Sequence, residues 1–245
     1  MSNKVAVITG ISGGLAQNVA LTMIDANYNI AAINRNSYFD FYELKKAAAK
    51  KNVAFNVYTA DLAYEDSIIN VAQQLLNNHQ QIDVLIHLAG ISFSGMSWKQ
   101  SGKDWKEVLD INLTGPMLLS KHLIPQMKKQ KDGVIIYFSS IVAHRPIAGT
   151  SAYAASKAGL EGLTKTQSVE LGASNIRVNC IAPGYFDAGM IREINEELRN
   201  ELISITPLKS LGNPQAIAET VLYLCGDGGK FTTGQIFHIN GGLYI

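Results

Sequence analysis

The chain has 245 residues, 47% of them hydrophobic and 17% charged, with a formal net charge of +1. That length suits one large α/β domain with a substantial core and leaves little room for two. The charge balance gives no general affinity for nucleic acid or an anionic membrane, and no apolar run approaches the roughly 18 residues that span a bilayer, so a soluble cytoplasmic protein is the expectation.

Short Val/Ile/Ala/Leu runs alternate with helical stretches from end to end. The first strand is predicted over Val5–Thr9. It runs into Gly10-Ile11-Ser12-Gly13-Gly14-Leu15-Ala16, and a helix follows over 14–26. Glycines in such a turn let backbone N–H groups approach a pyrophosphate, and the positive end of the helix favours an anion. The second strand, Asn29–Ile33, leads to Asn34-Arg35-Asn36. A carboxylate here would accept from a free ribose 2′-hydroxyl and repel a 2′-phosphate. Arg35 instead offers charge-assisted hydrogen bonds to a 2′-phosphate, which favours NADP(H) over NAD(H). A solvated surface arginine is the bland alternative. A helix over 38–51 and a strand over Val53–Tyr58 precede Asp61-Leu62. Asp61 is placed either to bond an adenine amino group or to cap the next helix, 65–79.

The strand Val84–Leu88 leads into Ala89-Gly90, and the helix predicted over 103–130 carries Asn112. The next strand, Gly133–Ser139, delivers Ser140 to the carboxyl end of the sheet, where ligands bind in such folds. The helix over 151–173 opens with Tyr153-Ala154-Ala155-Ser156-Lys157. The i, i+4 spacing puts Tyr153 and Lys157 on one face. A free tyrosine, with a pKa of about 10, trades protons poorly at neutral pH; a neighbouring ammonium favours the phenolate. Hydroxyl, phenol, lysine and amide together could hold a carbonyl, protonate it, tune the acid and anchor a water. Strand Ile176–Ile181 runs to Pro183-Gly184-Tyr185-Phe186. The stretch 185–212, with a helical pattern over Ile191–Leu202, interrupts the alternation and reads as a substrate lid or a surface insertion. Helix 214–226 and strand Gln235–Ile239 close the chain. Seven nearly continuous apolar strands imply a doubly wound parallel sheet covered on both faces. Cys180 and Cys225 lie in apolar runs and read as buried thiols, and no Cys/His spacing suits a metal.

The ordered set Thr9-Gly10-x-x-x-Gly14, Asp61, Ala89-Gly90, Asn112, Ser140, Tyr153/Lys157, Pro183-Gly184 and Asn240-Gly241-Gly242 resembles the classical short-chain dehydrogenases/reductases over essentially the whole chain. The tail Thr233–Tyr244 and Leu211-Gly212-Asn213-Pro214 are most similar to 3-oxoacyl-[acyl-carrier-protein] reductases. This resemblance implies an NADP(H)-dependent reductase in which Tyr153 is the acid and Lys157 lowers its pKa and holds the nicotinamide ribose. It implies that Ser140 bonds the substrate oxygen and Asn112 anchors a relay water. It carries cofactor contacts onto Gly10, Ser12, Gly13, Gly14, Leu15, Asn34, Arg35, Asp61, Leu62, Ala89, Gly90, Tyr153, Lys157, Pro183, Gly184 and Phe186. It also implies that 185–212 is the lid and that the chain forms a homotetramer through its two long helices, 103–130 and 151–173.

Four departures from the family pattern cover five positions. Ala16 replaces a glycine, His87-Leu88 replaces two asparagines, Ala188 replaces a threonine, and Gly13 stands where many NADP(H) enzymes carry a base. His87 reads as a substitute cofactor contact or as a satisfied core histidine. Phe93, Met96 and Trp98 read as a pocket wall or as ordinary packing. Lys128, Lys129 and Lys131 could receive an acidic acyl carrier protein, or simply complement a helix end. The expectation is therefore a reductase of 3-oxoacyl thioesters. A reductase of another ketone (a sugar, polyol, steroid-like or xenobiotic carbonyl) and a non-catalytic NADP(H)-binding sensor or scaffold are the alternatives.

Overall fold

The computed structural model describes residues 3–36, 38–189 and 194–245. Seven parallel strands form one sheet in the order β3-β2-β1-β4-β5-β6-β7. They are β1 (Val5–Thr9), β2 (Asn29–Asn34), β3 (Phe55–Thr59), β4 (Val84–His87), β5 (Gly133–Phe138), β6 (Ile176–Pro183) and β7 (Ile236–Ile239). The helices are α1 (Gly14–Asp25), α2 (Tyr42–Lys51), α3 (Glu65–Asn78), α4 (Gly102–Leu109), α5 (Gly115–Gln130), α6 (Ser151–Gly172), α7 (Glu196–Ile205) and α8 (Pro214–Cys225). The expected doubly wound α/β architecture is what forms.

Alternation along each strand separates two cores. Ala6, Ile8 and Ile86 face α1 and α8, whereas Val5, Val7 and Leu85 face α3, α5 and α6. Both faces are apolar because both are covered, which is why these strands read as continuous hydrophobic runs. The strand order reverses between β1 and β4. Their ends are in register, Thr9 opposite both Ile33 and His87. That reversal opens a crevice at the carboxyl ends of the strands.

Local chemistry shifts several predicted boundaries. The second helix starts at Tyr42, not 38, because Asp40 Oδ1 accepts the Tyr42 N–H at 2.9 Å and so makes a turn. Phe41 packs on Phe39 and Phe55 ahead of the helix, with ring centroids 4.9 and 6.0 Å apart. The predicted helix 103–130 forms as α4 and α5 joined by a π-helical turn over Asp110–Thr114. Beyond β6, the helical pattern expected over 191–202 forms as α7 over Glu196–Ile205, capped by Asn195, whose Oδ1 accepts the Leu198 N–H at 2.9 Å. Positions 191–193 of that expectation lie outside the described residues. Among the described residues no helix is long and apolar enough to cross a membrane, and no group of three or more His, Cys, Asp or Glu side chains could hold a metal ion.

Candidate active site

The phosphate-binding candidates are built by close backbone approach. Gly10 has φ +70°, and a Cβ there would lie 2.6 Å from Ala89 Cα. Its N–H donates to Ile33 O at 2.9 Å. Thr9 Oγ1 accepts the Leu88 and Ala89 N–H groups, each at 3.1 Å. The loops after β1 and β4 are thus stitched together, a role for Thr9 that sequence reading missed. A Cβ on Gly14 would lie 3.0 Å from Gly189 N and 3.2 Å from Ala188 Cβ. The start of α1 therefore touches the segment after β6, and the threonine-to-alanine departure at 188 falls at this contact. Ala16 is fully buried against the sheet, where its methyl is accommodated.

A first cavity of about 230 Å³ opens beside this turn, lined by Gly10, Ser12, Gly13, Asn34, Arg35, Asp61, Leu62, Ala89 and Gly90 among others. Ser12 Oγ donates to Asn34 Oδ1 at 2.9 Å, fixing the end of β2. Arg35 follows it, exposed on the rim. Asp61 Oδ1 accepts the Ala63 N–H at 3.0 Å, so Asp61 shapes its own turn and does not cap α3, which has Tyr64 at its N-cap. Ile33, Ala60, Ile91 and Ile111 complete the wall. These apolar side chains carry no motif by which sequence could single them out.

A second cavity of about 370 Å³ is lined by Gly14, Leu15, Ser140, Tyr153, Lys157, Pro183, Gly184 and Phe186, together with Ile141, Val142 and Tyr185. Ser140 caps the short 3₁₀ turn Ile141–Ala143 and lines this cavity beside Tyr153. Lys157 is 4% exposed; its Nζ donates to Phe138 O at 2.7 Å and lies 5.4 Å from the centre of the Tyr153 ring. Burial pushes the Lys157 ammonium down to about 8. The Tyr153 phenol is displaced upward, because burial outweighs the opposing influence of Ser140. This corrects the expected sign. Lysine was to pull the phenol down, yet its ammonium is engaged with the Phe138 carbonyl. Asn112 lines neither cavity. It is fully buried, donating to Ile91 O at 2.8 Å and to Ser156 Oγ at 3.1 Å and accepting the Ile91 N–H at 2.8 Å. Ser156 in turn donates to Tyr153 O at 2.7 Å. A Cβ on Gly90 would sit 3.4 Å from Asn112 Oδ1 and 3.5 Å from Lys157 Nζ.

The two cavities share Gly10, Gly13, Leu88 and Gly90. They form one trough across the sheet reversal, cradled where a side chain at Gly10 or Gly14 would collide with backbone. The residues present fit a dinucleotide: the backbone N–H groups at the start of α1 would hold its pyrophosphate. A family model described as enoyl-(acyl carrier protein) reductase matches residues 10–244. The chain belongs to the short-chain dehydrogenase/reductase family. Within that family it is 33% identical to 3-oxoacyl-[acyl-carrier-protein] reductase FabG of Staphylococcus epidermidis (strain ATCC 35984), over 99% of this chain and 100% of that protein. The Chlamydia trachomatis (serovar D) protein of the same name is 35% identical, over 98% and 97%. A crystal structure of a putative short-chain alcohol dehydrogenase from Sinorhizobium meliloti 1021 superposes with a TM-score of 0.92 at 25% identity, covering 99% of this chain and 97% of that one.

Other expectations for this short-chain dehydrogenase/reductase do not meet at the trough. His87 is a core residue. Its Nε2 bonds Ser120 Oγ at 2.9 Å, its ring stacks on Tyr137 at 4.9 Å, and burial pushes it down to about 3. Phe93, Met96 and Trp98 line neither cavity and are exposed. Lys128, Lys129 and Lys131 close α5 just before β5 begins. That puts them roughly 20 Å from Ser140, at the opposite end of a six-residue strand.

Proposed function

We propose that the protein is an NADP(H)-dependent reductase that converts a 3-oxoacyl thioester to a 3-hydroxyacyl thioester. The observation that carries this reading is the Tyr153 side chain, lining the second cavity beside Ser140 with the Lys157 ammonium 5.4 Å from the centre of its ring. When bound, the nicotinamide supplies a hydride to the carbonyl carbon. Ser140 then holds the carbonyl oxygen, and Tyr153 passes its phenolic proton to that oxygen. Burial suits this role, since an acid must enter the step protonated. The Lys157 ammonium, 5.4 Å from the centre of the Tyr153 ring, would stabilise the phenolate that remains and, with the cofactor bound, would contact its ribose. Asn112 supports the site by position: it holds the loop at Ile91 against α6 with both amide hydrogens already donated to Ile91 O and Ser156 Oγ, so its side chain does not anchor a relay water.

Arg35 at the rim supports NADP(H) over NAD(H), with no acidic side chain lining its cavity except Asp61. Ile141, Val142, Tyr185 and Phe186 give the substrate an apolar wall, and α7 with its described flanks, 185–189 and 194–212, serves as the lid. We also infer a cytoplasmic homotetramer. Trp105 on α4 and Val169 on α6 leave apolar surface exposed on the two long helical elements, and light scattering would read the state. An acyl carrier protein is the inferred donor, docked at the trough mouth and not on Lys128, Lys129 and Lys131.

The test is NADPH oxidation with acetoacetyl-CoA, run beside NADH, crotonyl-CoA and the Tyr153→Phe variant. Turnover with NADPH and acetoacetyl-CoA that collapses in the variant is expected. Crotonyl-CoA turnover in place of it would reassign the reaction to the carbon–carbon double bond. The likeness to a protein titled a short-chain alcohol dehydrogenase favours a second reading, in which another ketone is reduced on the same residues. Activity with small ketones but not with acetoacetyl-CoA would select it. Tight NADPH binding without any turnover would leave the non-catalytic sensor.

A further inference from the structure

Behind the catalytic wall lies a polar chain that the reaction as drawn does not use. Ser139 closes β5, 3% exposed, its N–H still bonded to Ile181 O at 2.8 Å. Its hydroxyl donates to Glu161 Oε1 at 2.6 Å and lies 3.1 Å from the Lys157 carbonyl. Glu161, one turn beyond Lys157 on α6, is 6% exposed. The same Oε1 meets His144 Nε2 at 2.8 Å. The His144 ring is stacked on Tyr244 at 4.5 Å and meets the edge of His238 at 4.7 Å. Asn240 Nδ2 donates to Tyr244 O at 3.0 Å, and a Cβ on Gly184 would lie 2.7 Å from Asn240 Cα. A line of contacts thus runs from the C-terminal tail, through an imidazole and a buried carboxyl group, to the residue before Ser140. The tail also touches the floor of the trough.

Burying a carboxyl group is costly unless its oxygens are engaged, and here one oxygen takes both hydrogen bonds. Those bonds converge on the two backbone segments that carry Ser140 and Lys157. We propose that Glu161 and His144 are positioning residues, which fix Ser139 and the Lys157 turn and so aim Ser140 at Tyr153, with Tyr244 holding His144 in place. This rests on the Tyr153, Ser140 and Lys157 assignment above. The titratable groups facing the pair are Lys157 on α6, Cys180 on β6, His238 on β7 and Tyr244 in the tail. Burial pushes the Cys180 thiol up to about 12, with Glu161 adding to the push. Burial also lowers His238, with His144 adding to the fall. Neither neighbour supplies a competing charge near neutrality.

The experiment compares Glu161→Ala, Glu161→Gln, His144→Phe and a chain ending at Leu243. Each is measured for kcat, KM, NADPH affinity, melting temperature and its pH–rate profile. Glu161→Ala and His144→Phe are expected to lower kcat roughly tenfold, with KM and NADPH affinity within about twofold of the parent. Glu161→Gln, which keeps both acceptor contacts, recovers most of the loss. The shortened chain follows His144→Phe. A role in stability alone would lower the melting temperature and leave kcat of the folded enzyme unchanged, which would overturn the proposal. A second readout needs no substrate: ionisation of the Tyr153 phenol, taken as the ultraviolet difference from Tyr153→Phe. A misplaced Ser140 no longer holds the phenol down, so the titration moves to higher pH in Glu161→Ala. If the parent reduces no ketone, the function reading fails, and this titration alone judges the positioning claim; an unmoved phenol rejects it.

Discussion

The two ends of the trough are made differently. At the Arg35 end, that side chain is exposed on a rim, beside a wall where Ser12 bonds Asn34. At the chemical end, Lys157 and Asn112 are buried, and each is tied to the backbone of another element. The first arrangement lets a side chain change without disturbing the core. The second makes the reactive set part of the core, so that chemistry and packing are specified by the same residues. Cofactor choice should therefore be separable from folding in this protein, and proton transfer should not.

The sharpest way to break that contrast is Tyr153→Phe, which removes one oxygen and little volume. Turnover should fall roughly thousandfold; activity within tenfold of the parent would show that the chemical end does not use the phenol. Lys157→Met comes next, with a loss of roughly a hundredfold in kcat. It also alters stability against pH. Burial holds the folded lysine at about 8, against an ordinary 10.5. Below about 8 both states are protonated and the burial penalty is present in full. Between the two values only the unfolded chain keeps its proton, so stability of the parent rises with pH across this window. Denaturant titrations should show that rise lost in Lys157→Met. Arg35→Ala should weaken NADPH binding between about tenfold and a hundredfold, leaving NADH affinity and the melting temperature where they were. A lowered melting temperature would erase the distinction between the two ends. The smallest effect is expected at His87, buried near the chemical end but outside it. Its imidazole is held near 3 against an ordinary 6.5, so the unfolded chain alone takes up a proton between those values and stability falls as pH drops through them. His87→Phe keeps a ring on Tyr137 and should flatten that acid slope without altering kcat.

Much of this was legible in residue order. Buried parallel strands announce themselves as unbroken Val/Ile/Ala/Leu runs, and Gly10, Ser140, Tyr153 and Lys157 occupy strand ends and a helix face that topology alone brings together. What stayed hidden depends on side-chain direction. Thr9 reads as the last residue of a strand, and only the fold shows its hydroxyl holding Leu88 and Ala89. Glu161 and His144 are 17 positions apart with no spacing rule to link them. The sign of the Tyr153 displacement could not come from spacing either, because it is decided by how deeply the phenol is buried. Lys128, Lys129 and Lys131 illustrate the converse, a conspicuous charge cluster that the fold carries to the far end of the sheet.

The π-helical turn at Asp110–Thr114 has a consequence for chain length. In a regular α-helix consecutive residues point about 100° apart, and a π-helical turn, by carrying an extra residue, resets which face each later residue presents. The wider turn lets Ile111 and Asn112 both face in, 6% and 0% exposed, and they attend to different tasks. Ile111 walls the first cavity, while Asn112 clasps Ile91 and Ser156. Deleting a single residue here would restore ordinary winding and rotate one of the two away from its present partners. Substitutions along this stretch would adjust one end of the trough at a time, whereas a one-codon deletion would keep one set of contacts and lose the other.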